Sequence, residues 1–340
     1  MPNFENPSSK PRSNVERVVG GTAEQQEYIM SDHLSDVEKY SNHKFVNERE
    51  KTAEELQMIS VAENNVNDLR AKYGLSPVPL PPEKVHIIYG DELTLGNATT
   101  RNAGGFEAMN QVIITTDAEE IGRSGIGRFD VIQHESLHAA QYQSLQSSGA
   151  ISTSYRVGVN VTSRKPDSES GNFLQYLNPL NEAITEENSR RLVLNTSADE
   201  PEIGHIIAKR NEEFKEFKDF CENTPNHGYP EALLAGDVLQ SKINPETGRP
   251  SVKPFAYYYE RQTMWKLFDK IYEKNPAAFP DKTPTEAREE IFDMVTKASF
   301  DGNIMPFGRL VNNSFGNGTF RDYGHLQTVE DISNFIDALD

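Results

Sequence analysis

The chain has 340 residues, enough for one large domain or two, and 36% of them are apolar, below the usual share but sufficient for a core. Its 34 basic and 52 acidic residues leave a formal net charge of −18, which repels phosphate backbones and anionic bilayers and argues against nucleic acid or membrane as partners. No apolar run is long enough to span a bilayer, the opening Met1-Pro2-Asn3-Phe4-Glu5-Asn6-Pro7 has no secretion-signal pattern, and the lone Cys221 excludes internal disulfides, so a soluble cytoplasmic protein is expected.

Residues 1–20 are polar, with Pro2, Pro7, Pro11 and several serines, and read as a disordered N-terminus. Gly20-Gly21 is a break, after which residues 22–42 are weakly helical. Thr52-Ala53-Glu54-Glu55 is a capping box, and the helix it opens runs to Tyr73 with Leu56, Ile59, Val66, Leu69 and Tyr73 as its apolar stripe. Gly74 and the prolines of residues 77–82 end it, so residues 21–82 form a helical N-terminal region with a proline-rich connector. Residues 84–89 read as a buried strand, 96–105 as a loop, and 106–109 with 111–116 as a hairpin. Gly122, Gly125 and Gly127 read as turns before the next helix, since they do not follow a strand at dinucleotide-binding spacing.

That next helix, Val131 to Leu145 with Gly149 as its stop, contains His134-Glu135-Ser136-Leu137-His138. Residues four apart on a helix lie about 40° apart around the axis, so the two imidazoles point the same way and can hold one tetrahedral zinc. Glu135 lies next to them and can face a water on the metal, taking its proton as general base. A catalytic zinc needs a third protein ligand, and Leu180-Asn181-Glu182-Ala183-Ile184-Thr185-Glu186-Glu187 places two carboxylates, Glu182 and Glu186, on one helix face. Glu187 points about 100° away from Glu186 and can pair with Arg191 at the surface.

The pairing of His-Glu-x-x-His with a downstream Asn-Glu-Ala-Ile-Thr-Glu resembles the gluzincin metallopeptidases, the thermolysin-like clan. The resemblance covers roughly residues 84–195. It implies that His134, His138 and Glu182 bind Zn2+, that Glu186 supports a ligand histidine, and that a small β-sheet packs on the motif helix ahead of a mainly helical C-terminal half. The implied fold class is α+β and zincin-like, with a zincin core over residues 83–195 and a helical C-terminal subdomain over 196–340. The gap from His138 to Glu182, 182 − 138 = 44 positions, is longer than in thermolysin-like enzymes. The extra length, residues 154–161, a polar turn over 165–172, and 173–176, reads as an inserted β-hairpin near the cleft.

Beyond the second motif, Ala198-Asp199-Glu200 opens a long helix to Phe220, residues 229–239 form a short one, and 244–248 a turn. A helix beginning at Tyr257-Tyr258-Tyr259, a capping box at Thr283 to Glu286 with a helix to about Phe300, and helices over 304–315 and 329–339 complete the chain. Hydrolysis of a peptide bond needs a donor for the developing oxyanion. The candidates are Tyr257, Tyr258, Tyr259, His205 and His227, with Tyr258 favoured because an aromatic cluster opening a helix can face the cleft. His33, His43, His86 and His325 read as structural or exposed. The expected function is a zinc metallopeptidase acting on a peptide or protein substrate. The alternatives are a catalytically silent binding module on the same scaffold and an effector protease with one substrate.

Overall fold

The computed structural model describes residues 15–41, 45, 48–88, 92–95, 98–101, 105–108, 111–115, 125–148, 151–164, 173–224 and 226–339. The elements in order are β1 (Val15–Val19), α1 (Ala23–Ser41), α2 (Ala53–Lys72), β2 (Val85–Ile88), β3 (Glu92–Leu95), β4 (Ala98–Arg101), β5 (Gly105–Ala108), β6 (Gln111–Thr115) and α3 (Gly125–Ala140). Then follow β7 (Gln143–Ser148), β8 (Ile151–Val157), β9 (Asn160–Arg164), β10 (Phe173–Tyr176), α4 (Asn178–Asn195), α5 (Gly204–Asn223) and α6 (Glu231–Leu234). The last are β11 (Val238–Ile243), β12 (Pro250–Pro254), α7 (Tyr258–Lys274), α8 (Pro284–Asp301), α9 (Met305–Phe315), α10 (Thr319–Gly324) and α11 (Val329–Asp337).

The class is mixed α+β, and a small sheet does pack on the motif helix. That sheet has the order β2-β6-β5, with β2 parallel and β5 antiparallel to β6. Val85, Ile87, Val112 and Ile114 alternate onto one core with Ile126, Phe129, Ile132 and Ala139 of α3 and Met58 and Ile59 of α2. A second core lies in the C-terminal half, where Leu180, Ala183 and Ile184 of α4 meet Leu267 and Phe268 of α7, Ile291 and Val295 of α8, and Phe307 of α9. The helices α3 and α4 therefore lie between two hydrophobic cores, and the polar faces they turn toward each other carry the site.

Both capping boxes form, Thr52 with Glu55 and Thr283 with Glu286. Other expectations are corrected. The motif helix ends at Ala140, not near Gly149: Arg70 of α2 takes the Ala140 carbonyl, the Tyr142 amide donates to the Ser299 carbonyl, and Leu145 lies in strand β7. The helix also begins earlier, so Gly125 and Gly127 belong to its first turn. Residues 15–19 are not disordered; they form β1, which pairs in parallel with β7 and buries Val15 beside Ile29 and Leu145. Residues 1–14 lie outside the described residues. So do the turn at 165–172 and His43.

The expected insertion is larger than a hairpin. The strands β7, β8, β9 and β10 form an antiparallel meander which β1 extends to five strands. Within 96–105, read as a loop, β4 pairs with β3. The helix expected from Ala198 starts only at Gly204, whose missing side chain lets it pack on the Ala198 carbonyl. The helix expected over 229–239 stops at Leu234; Gly236, at φ 109°, redirects the chain into β11. Among the described residues no helix is long and apolar enough to cross a membrane.

Candidate metal centre

His134, Glu135 and His138 stand on α3, and Glu182 and Glu186 on α4. Ser189 of α4 donates to the Asp130 carboxyl of α3 at 3.1 Å, locking the two helices in register below the site. His134, His138 and Glu182 offer one ligand atom each within a common reach of 4.8 Å. The edges of this triangle are 3.1 Å between the two Nε2 atoms, 3.3 Å from His138 Nε2 to Glu182 Oε2, and 3.4 Å from His134 Nε2 to the same oxygen. A tetrahedral ion with ligand bonds of 2.0–2.1 Å has ligand–ligand edges of about 3.3 Å, so the three atoms form one face of such a tetrahedron.

The hydrogen bonds behind the histidines decide what this triangle can bind. His134 Nδ1 is 2.7 Å from Glu186 Oε2, an acceptor, so the ring proton sits on Nδ1 and Nε2 carries a lone pair. His138 Nδ1 is 3.1 Å from Gln141 Oε1. The Gln141 amide is oriented in turn, because its Nε2 donates to Thr185 Oγ1 at 2.8 Å and the Thr185 hydroxyl donates to the Asn181 carbonyl at 2.8 Å. Asn181 Nδ2 donates to Gln141 Oε1 at 3.3 Å, while Asn181 Oδ1 accepts the Val159 amide at 3.0 Å. The backbone thus fixes the His138 tautomer through two amide side chains. With the protons on Nδ1, both Nε2 atoms and Glu182 Oε2 direct electron pairs at one point, an arrangement that a bound cation satisfies and that protons on Nε2 satisfy in its absence. The residues present fit a divalent metal ion.

The same demand appears in the protonation equilibria. Burial works against a charged imidazole at His134 and at His138, but Glu182, with Glu186 behind His134, outweighs it and holds both above the ordinary histidine value. Burial pushes the Glu182 carboxyl up, and the two histidines more than reverse this, so it stays ionised. Glu135, buried beside the triangle, is raised first by burial and then by Glu182 and Glu186, with the histidines opposing.

The tyrosine at this site is not Tyr258. That ring packs edge-on against Tyr259 at 5.2 Å and against the separate cluster of Phe217, Leu233 and Val238. Tyr257 instead stacks on the His134 ring, at 5.6 Å and 17°. Its hydroxyl is pushed up by burial first, then by the charges of Glu182 and Glu135, so it remains a proton donor. The one-residue displacement arises because Tyr257 caps α7 in a left-handed conformation, φ 48° and ψ 36°, which turns its side chain back toward α3 while Tyr258 starts the helix facing away. His205 is exposed on α5 beside Glu54, and His227 stacks on Tyr229. His86 is held between Glu48 and Gln111. Glu187 does pair with Arg191, at 2.8 Å, but in the interior: its side chain is only 1% exposed.

Sequence reasoning missed Gln141, and it named Tyr257 as a candidate but ranked Tyr258 ahead of it. The signal for Gln141 was present, since it lies one turn beyond His138, but the expectation of a helix continuing through residue 141 concealed it. No family model, curated protein or solved structure matches the chain.

Proposed function

We propose that this protein is a zinc-dependent metallopeptidase of gluzincin type, with a zincin-like core built on α3, α4 and the β2-β6-β5 sheet. The observation that carries the reading is the convergence of three electron pairs from His134, His138 and Glu182, with the two imidazoles fixed by Glu186 and Gln141. Two imidazoles and a carboxylate in a tetrahedral face suit zinc among common divalent ions. When bound, such an ion makes a water acidic near neutral pH and polarises a carbonyl. Glu135 takes the proton of the attacking water, and its raised pKa lets it hold that proton and pass it to the leaving amine. The Tyr257 hydroxyl donates a hydrogen bond to the oxygen on which negative charge develops. Glu186 and Gln141 keep the imidazoles in the one tautomer that presents lone pairs inward.

The test is elemental analysis of the purified protein together with cleavage of denatured casein and of a mixed peptide library. One zinc per chain and peptide-bond cleavage are expected. Glu135→Gln keeps shape and removes the base, so it should retain the zinc and lose at least about a hundredfold in turnover. Activity within about tenfold of the parent would remove Glu135 from its role. Zinc held with no cleavage of any peptide would favour the silent binding module.

A further inference from the structure

The turn that presents Tyr257 is held from inside the protein. A bulky aromatic residue seldom occupies the left-handed region, and such backbone persists only where its surroundings over-determine it. Its surroundings are dominated by one side chain, Arg261, which is 1% exposed. Arg261 Nε donates to the Ala256 carbonyl at 3.2 Å and Nη2 to the Phe255 carbonyl at 3.4 Å, so two carbonyls just before Tyr257 rest on the guanidinium. Nη1 and Nη2 donate to Oδ2 and Oδ1 of Asp237 at 2.9 and 2.6 Å, and Nη1 reaches Oε2 of Glu187 at 3.4 Å.

A guanidinium has five N–H groups in a rigid fork. Here five contacts reach five different acceptor atoms, so no donor remains for a substrate. Glu187 follows Glu186 on α4, and its carboxylate also takes Arg190 and Arg191. The same guanidinium therefore ties the turn carrying the tyrosine to the helix carrying Glu182.

We propose that Arg261 is the positioning residue for Tyr257, a buried clamp that fixes the tyrosine hydroxyl relative to the His134–His138–Glu182 triangle. The catalytic consequence rests on the peptidase reading; the structural one does not. Lysine keeps the charge but carries its three donors on one nitrogen, and it cannot span two carbonyls and a carboxylate at once.

The experiment compares Arg261→Lys, Tyr257→Phe and the double variant. Turnover of casein should fall about tenfold to a hundredfold in Arg261→Lys, with KM within about twofold and zinc affinity, by chelator competition, within about threefold. In the Tyr257→Phe background the same change should cost almost nothing more, because both act through one hydroxyl. A readout free of activity is the 19F resonance of 3-fluorotyrosine incorporated at Tyr257. It should leave its position over the His134 ring in Arg261→Lys while the melting transition stays cooperative. If Arg261→Lys does not fold, Asp237→Asn keeps the shape, weakens the fork, and should move the resonance in the same direction. An unmoved resonance, or full additivity with Tyr257→Phe, overturns the clamp. A moved resonance in a protein that cleaves no peptide sustains the clamp and removes the peptidase reading.

Discussion

Replacing Glu186 by Gln separates the carboxylate behind His134 from Glu182, the carboxylate of the proposed metal triangle. In the parent, the His134 Nδ1–H donates to the Glu186 carboxylate Oε2 at 2.7 Å. The amide keeps an acceptor there but not the charge, and a charge-assisted hydrogen bond is roughly twice as strong as a neutral one. The difference is about 1–1.5 kcal/mol, and with the lowered basicity of the ligand imidazole it should weaken zinc binding roughly 10–100-fold. The metal-free fold responds as well. Asp130 is buried nearby, and its carboxyl is pushed up by burial and then by the charge of Glu186. Glu186 Oε1 has no hydrogen-bond partner among the described residues. Gln relieves the charge that raises Asp130, but it weakens the bond to the protonated His134 and places an amide NH2 where no acceptor is found among the described residues, so metal-free Glu186→Gln should melt below the parent. Glu182→Gln, which removes a direct ligand, should lose most of its zinc. Chelator titration and melting of the metal-free proteins read both effects. The assignment fails if Glu186→Gln loses the metal while Glu182→Gln keeps it, or if Glu186→Gln binds zinc as tightly as the parent.

Zinc affinity should climb with pH. Both histidines hold protons above the ordinary value of 6.5 in the metal-free protein, so the ion displaces up to two protons, and affinity rises up to about a hundredfold per pH unit until the raised pKa values are passed; an affinity constant from pH 6 to 8 would refute this. Truncation through Gly20 should destabilise the fold by roughly 2–4 kcal/mol, because it removes buried Val15, the pairing with β7 and the Arg17–Tyr142 hydrogen bond; denaturant midpoints of the two chain lengths give the measurement.

The cluster of His134, His138 and Glu182 was legible because helical spacing is a strong constraint: residues four apart on α3 share a face, and the acidic pair at Glu182 and Glu186 follows the same logic. The capping boxes were legible because each is closed within four residues. What stayed hidden is tertiary in origin. The end of α3 is set by Arg70, seventy residues upstream, and no local breaker marks it. The strand β1 has charged Glu16 and Arg17 facing solvent and only Val15 buried, a pattern that resembles a polar tail until β7 is there to receive it. Tyr257 and Tyr258 are equivalent in composition, and only the left-handed turn decides which one reaches His134.

Gly158 provides the sharpest test that the His138 support is a built device. It sits between β8 and β9 at φ 59°, with its amide on the Tyr142 carbonyl at 2.8 Å. A side-chain carbon there would stand 2.3 Å from Asn181 Oδ1 and 2.6 Å from Gln141 Oε1, the two oxygens that carry the network to His138. Alanine at Gly158 therefore imposes two costs. The left-handed backbone costs about 1–2 kcal/mol for any L side chain, and displacing the amides leaves buried polar groups short of partners for about 1–3 kcal/mol more. Gly248, in the turn between β11 and β12, has a similar φ of 64° and nothing within 4 Å of the added carbon. It carries the first cost without the second. Gly248→Ala should thus lower stability modestly and leave zinc binding untouched. Gly158→Ala should lower stability about twice as far and weaken zinc roughly tenfold or more, as expected when the group orienting a ligand histidine is lost. Equal behaviour of the two variants in melting and in chelator titration would show that Gln141 and Asn181 do not set the state of His138.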